Sequence, residues 1–253
     1  MSDFEKKNGS AQDPEEKYED RKIRTDSAAS EKLQNFWFFH RGKVIAGVVI
    51  LLVAILFVTQ MVGRRNSDVM LAYSGPVYLS GEDQTAVQDL LSTVVGKSLS
   101  DEKLLLGLTQ YQVYSKAQIE SLRAETHEDE EPVFINSEFN SQSYEDLYTY
   151  IMTGDTAILF LDPWLYHELR KNERLLSMNE LFKTLPAGID EHGYGITISE
   201  TEIYRYYGVM QKLPAETVMC FLKPQVIGKT SKEKNYTLMK ETFCAIVNFD
   251  APD

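Results

Sequence analysis

Side chains able to do chemistry are few and scattered in this chain of 253 residues. The four histidines, His40, His127, His167 and His192, show no zinc-site spacing, either among themselves or with Cys220 and Cys244. His167 follows Asp162 by five positions, yet no nucleophile can be assigned beside that pair. The patterns G-x-x-x-x-G-K-[ST], G-x-S-x-G, H-E-x-x-H and G-x-G-x-x-G are all missing. Carboxylates crowd His127 in the run ETHEDEE, residues 125–131, but without calcium-loop spacing they read as a solvated loop rather than a metal site. These residues predict a protein without catalysis, metal or cofactor. The two cysteines sit in apolar contexts, VMCFL and ETFCAIV, that suit small buried hydrophobes. A disulfide between them is the alternative in an oxidising compartment.

The element that positions everything else is apolar. Residues 44–62, VIAGVVILLVAILFVTQMV, hold only Thr59 and Gln60 as polar interruptions and carry no charge. At about 1.5 Å per residue, a helix of that length spans roughly the 30 Å hydrocarbon core of a bilayer. Phe36, Trp37, Phe38 and Phe39 form an aromatic belt before it, and Arg41, Lys43, Arg64 and Arg65 flank it. Cations crowd the N-terminal side (Arg21, Lys22, Arg24, Lys32, Arg41, Lys43), whereas only Arg64 and Arg65 follow before Lys97. The positive-inside rule therefore predicts a cytoplasmic N-terminus and an extracytoplasmic C-terminal part. No A-x-A-like cleavage site follows, so the segment reads as an uncleaved signal-anchor of the cell membrane.

Three regions result: a polar tail over residues 1–34, the anchor with its flanks over 35–65, and a domain over 66–253. The tail is too poor in large aliphatic residues to fold alone and is expected to be disordered. From residue 66 onward the chain has 29 acidic and 15 basic residues, a net −14 within a whole-chain charge of −12. Such a surface argues against nucleic acid as a partner, because phosphates need a basic face.

Within the domain, residues 68–73 read as a first strand and 83–95 as a helix that Gly96 stops. Residues 103–114 read as a second strand, and Ser115 to Gln118 form a capping box opening a short helix. A helix stripe of Tyr144, Leu147, Tyr148 and Ile151 ends at Gly154; residues 156–161 are a strand, and Asp162-Pro163 opens the next helix. A further capping box begins at Ser177. This alternation predicts a parallel sheet. Residues 193–199 and 217–222 read as two more strands bridged by a tyrosine-rich segment. Tyr204, Tyr206 and Tyr207 there are strand packing or a binding surface. A capping box at Thr230 to Glu233 opens a last helix carrying Tyr236, Met239 and Phe243. The fold class expected is α/β: an open, mainly parallel sheet flanked by helices, behind one transmembrane helix.

Residues 143–182 resemble a recurring element of bacterial ABC-transporter solute-binding proteins. The matching features are Gly154-Asp155, the strand at 157–161, Asp162-Pro163-Trp164, and Leu175-Leu176 with Leu181. The overall plan also resembles short single-span, membrane-anchored bacterial proteins. The resemblance covers residues 68–185 and implies one lobe of a periplasmic-binding-protein fold; a complete binding protein has two lobes, and this domain has room for one. It implies strand order 2-1-3, with a switch point between the first and third strands where open α/β sheets bind ligands. Tyr73, Ser74 and Gly75 after strand one, and Asp162 and Trp164 after strand three, are then the candidate ligand-binding residues. Asp162 reads equally as a helix N-cap and Trp164 as a packed aromatic. The functional expectation is a membrane-anchored extracytoplasmic binding or interaction domain, solute-binding-like, with the lipid bilayer as one partner and a small-molecule ligand left open. The alternative is a structural subunit of a transport, secretion or envelope assembly, meeting a membrane-protein partner through Ala46, Gly47 and Ala54.

Overall fold

The computed structural model describes residues 28–63, 67–125 and 135–252. It divides into two units, Met1–Arg64 and Arg65–Asp253. The charged run around His127 lies outside the described residues, as does the tail before residue 28.

The first unit is the helix α1, Ala28–Gly63. It starts within the last part of the polar tail, where Ala28, Ala29, Glu31, Lys32, Leu33 and Gln34 are good helix formers ahead of the apolar run. Its segment Phe36–Val53 is long and apolar enough to cross a membrane, and Phe36, Trp37, Phe38 and Phe39 are exposed.

The second unit is α/β. Its strands are β1 (Val69–Gly75), β2 (Leu106–Gln112), β3 (Ile158–Leu161), β4 (Gly195–Thr197) and β5 (Val218–Phe221), in spatial order β2-β1-β3-β5-β4. β1 pairs in parallel with both β2 and β3, as the strand-helix alternation requires. β5 then runs antiparallel to β3, and β4 antiparallel to β5. The sheet is therefore mixed, which corrects the mainly parallel sheet expected from sequence. The physical reason lies between β3 and β5: the connection is not a single crossover helix but a nine-residue helix (Pro163–Lys171), short turns and the strand β4, which itself pairs antiparallel with β5.

The helices α2 (Gly81–Ser98), α3 (Lys116–Glu125), α4 (Ser137–Thr153), α5 (Pro163–Lys171), α6 (Met178–Leu181), α7 (Glu202–Tyr206) and α8 (Glu233–Val247) complete the domain. Alternating side chains of β5 show the two faces: Phe221 stacks on Phe243 and Tyr236 of α8, while its neighbour Cys220 lies towards Tyr166 of α5. On the α5 side, Tyr111 of β2 packs on Tyr150 of α4. The core is dense in aliphatics, with Leu71, Leu91, Ile158, Leu159 and Phe160 fully enclosed.

Several local expectations change. Gly96 does not end α2, which continues to Ser98 with Leu99 as its cap. Its missing side chain instead admits the Asp101 carbonyl, which a Cβ would meet at 2.9 Å. Thr230 does not cap α8, whose N-cap is Lys232 without a side-chain bond; the Thr230 hydroxyl accepts from the Gln225 amide at 3.2 Å. The tyrosine-rich bridge is helical, not strand: Tyr204 and Tyr206 lie on α7, and Tyr207 caps it. Both cysteines are free thiols. Cys220 is enclosed in the β5 layer, and burial, then the Asp190 carboxylate, push its thiol pKa up. Gly154, by contrast, ends α4 as its sequence position requires, in the left-handed region at φ 67°.

Candidate functional site

The carboxyl ends of β1, β2 and β3 meet at a layer of closely bonded residues. Asp162 follows β3, and its amide donates to the Ser74 carbonyl at 2.8 Å. One carboxylate oxygen accepts from the Trp164 amide at 2.9 Å, which makes Asp162 the N-cap of α5 with Pro163 in the first turn. The other accepts from the Gln118 side-chain amide at 2.8 Å. Gln118 is also half of the reciprocal capping box of α3: its amide donates to the Ser115 hydroxyl at 3.1 Å, and its carbonyl accepts from the Ser115 amide at 2.8 Å. One glutamine thus ties α3 to the α5 cap.

Ser74 is fully buried and its hydroxyl donates to the Tyr111 carbonyl at 2.9 Å, joining β1 to β2. Gly75 is buried beside Tyr73, whose hydroxyl a Cβ there would approach to 3.1 Å. The Tyr73 hydroxyl is enclosed without a hydrogen-bond partner, and burial, then the Asp162 carboxylate, push its pKa up. Four of the five sequence-predicted site residues are therefore internal: Ser74, Gly75 and Asp162 are bonded to the protein's own groups, and the Tyr73 hydroxyl is enclosed without a partner. The fifth, Trp164, is partly exposed.

Trp164 lines an open groove of about 380 Å³ together with Val113, Tyr114, Lys116, Asn140, Tyr144 and Glu145. Tyr144 and Trp164 face each other with ring centroids 6.0 Å apart and planes inclined by 39°. Tyr114 and Asn140 exchange two bonds: the Tyr114 amide donates to the Asn140 side-chain oxygen at 2.8 Å, and the Asn140 amide donates to the Tyr114 carbonyl at 3.0 Å. The Gln112 amide donates to the Tyr114 hydroxyl at 2.7 Å and fixes that ring's tip. Tyr114 and Asn140 also line an adjoining hollow of about 230 Å³ with Phe139, so the groove continues along the start of α4. Further along α4, Tyr144, Tyr148 and Met152 are exposed at four-residue spacing, and Arg174 lies over the Tyr148 ring at 5.7 Å.

This lining is aromatic with an amide, a hydroxyl, a carboxylate and an ammonium at its rim. It can hold a ligand presenting a flat or apolar face together with hydrogen-bonding groups. The histidines stand apart from it: His167 stacks beside Tyr166 on α5, and His192 pairs with Glu191 at 3.2 Å. Among the described residues no three His, Cys, Asp or Glu side chains gather in a metal-binding group. Sequence reasoning missed Gln118, Tyr114, Asn140 and Lys116 as neighbours of Trp164. The capping box at Ser115 was legible, but Gln118's second partner, 44 residues away, carries no local signal.

A second polar cluster pins the loop before β4. The Tyr166 hydroxyl donates to Asp190 at 2.6 Å, and the Asp190 carboxylate also accepts from the Tyr194 and Gly195 amides at 2.9 and 3.0 Å. Burial alone would raise the Asp190 pKa; the Tyr166 hydroxyl, the two amides and nearby His192 outweigh it and hold it below the usual carboxylate range.

Compared with known proteins, the chain matches no family model, no curated protein and no solved structure.

Proposed function

We propose that this protein is a single-pass, membrane-anchored extracytoplasmic binding domain without catalysis, and that the Trp164–Tyr144–Tyr114 groove is its recognition surface. The groove carries this reading: an open, aromatic and polar hollow at the carboxyl ends of the strands, above a layer whose own hydrogen bonds hold it in place. The apolar α1 supports the anchor, and the excess of cations before it supports an N-terminus in the cytoplasm. The likeness to one lobe of a solute-binding protein stays part of the proposal. It is supported by the β2-β1-β3 order, although ligand contact moves outward from the switch point to its rim.

The test uses Trp164 as its own reporter. Trp37 and Trp164 are the only tryptophans, so Trp37→Phe isolates the groove. Full-length protein carrying that change, in neutral nanodiscs, is titrated with fractions of cell-envelope extract. A saturable change in emission that Tyr144→Ala abolishes is expected; a signal indifferent to every fraction contradicts the reading.

The exposed Tyr144, Tyr148 and Met152 stripe favours one other reading, a structural subunit whose α4 face is covered by a second membrane protein. In that case the titration fails, and a crosslinker placed at Tyr148 traps protein.

A further inference from the structure

The opposite end of the sheet has a different surface. The loop over residues 223–234, KPQVIGKTSKEK, joins β5 to α8. Val226 is 96% exposed and Ile227 61%, the two most exposed large aliphatics among the described residues of the domain. Lys223, Lys229, Lys232 and Lys234 flank that pair in sequence against the single carboxylate of Glu233, so the loop is net +3 in a domain of net −14.

The loop is held, not loose. The Thr230 amide donates to the Gly154 carbonyl at 2.8 Å, and the Thr230 hydroxyl receives the Gln225 amide. Gly228 adopts φ 81° where the chain crosses Gly154, so the turn that presents Val226 and Ile227 is built into the fold. Lys229 donates its ammonium to the Ser67 carbonyl at 3.3 Å, which places the loop beside the start of β1. Asp68, Asp101 and Glu241 line the hollow next to Lys103 and Lys234, so the net basic character belongs to the loop and not to that whole end.

Ser67 comes only four residues after Gly63, the last residue of α1. Exposed aliphatics flanked by lysines are what an interfacial membrane contact uses: the aliphatics enter the headgroup boundary while the ammonium groups meet anionic lipid.

We propose that residues 223–234 are a foot that rests on the bilayer, Val226 and Ile227 entering the interfacial layer and Lys223, Lys232 and Lys234 engaging anionic headgroups. The proposal rests on the reading that α1 spans that same bilayer. The foot fixes which end of the domain faces the lipid and turns the Trp164 groove, at the other ends of the same strands, away from it.

The experiment is amide hydrogen exchange over residues 223–232, on the full-length chain in nanodiscs of phosphatidylcholine and of phosphatidylcholine mixed with phosphatidylglycerol. One lysine at an anionic surface strengthens attachment roughly fivefold, so exchange is expected to slow at least about fivefold in the anionic discs. Lys232→Glu with Lys234→Glu should restore the neutral-disc rate, and so should Val226→Ser with Ile227→Ser. All four positions are solvent-exposed, so folding survives. Equal exchange in the two lipids, or protection that outlasts both variants, overturns the foot. Failure of the chain to enter even neutral discs overturns the spanning reading instead, which keeps the two apart.

Discussion

Two layers lie within a few residues of each other at the carboxyl ends of the strands, and they are built for different purposes. The lower one, Ser74, Gly75, Asp162 and Gln118, is closed: its polar atoms are taken up by backbone groups and by each other. The upper one, Tyr114, Tyr144, Trp164 and Asn140, is open: Gln112 holds the tip of the Tyr114 ring, Asn140 bonds the Tyr114 backbone, and Tyr144 and Trp164 face each other. The difference teaches that a topological switch point can be closed by the chain's own hydrogen bonds, its side chains spent on holding the rim of an open groove.

The comparison can be broken most sharply at Asp162. Asp162→Ala removes the α5 cap and strands the Gln118 amide, and should cost about 2–4 kcal/mol in denaturant unfolding. Asp162→Asn, which keeps an acceptor for the Trp164 amide, should cost less than half of that. A change below about 0.5 kcal/mol for the alanine would mean the lower layer is not structural.

Next in size is the acid response at Asp190. Its folded pKa is lowered, so its contribution is present above the unfolded carboxylate value near 4 and is lost as pH falls through the lower folded value. The thermal midpoint should therefore drop as pH falls below about 4. Tyr166→Phe should lower the midpoint at neutral pH, by about 1–2 kcal/mol of stability, and flatten that drop. An acid limb unchanged by the substitution would place the lost protons elsewhere.

Trp164→Ala should unfold like the parent to within about 1 kcal/mol, because the ring is only partly covered, yet abolish binding in the groove. Smallest of all is Tyr73→Phe. The hydroxyl it removes is buried and unpartnered, so stability should hold or rise by up to about 1 kcal/mol, with groove binding unaffected. Loss of binding in Tyr73→Phe would return ligand contact to the switch point.

How much of this could be read from the chain follows the range of the signals. β3 with Asp162-Pro163 behind it, the Gly154 stop of α4 and the Ser115 capping box are local patterns, and each stands in the structure. The antiparallel placement of β5 beside β3 is a pairing between distant segments that no local period encodes. Gly96 looked like a helix stop because glycine usually is one; here a carbonyl five residues on needs its space. In α4 the expected stripe splits: Leu147 and Ile151 are enclosed, whereas Tyr144 and Tyr148 face outward. Tyrosine suits both environments, so its pattern alone could not show that it borders a groove. The place of Trp164 directly after β3 was legible, but Tyr114, Asn140 and Lys116 join it along the groove only through the fold.

The most direct test of the central claim places a benzoylphenylalanine crosslinker at position 144, beside Trp164, and separately at position 206, an exposed tyrosine on α7 away from the groove. Irradiated in intact cells, position 144 should give a discrete adduct that Trp164→Ala removes, and position 206 none. An adduct at 206 with none at 144 would contradict the assignment of recognition to this groove.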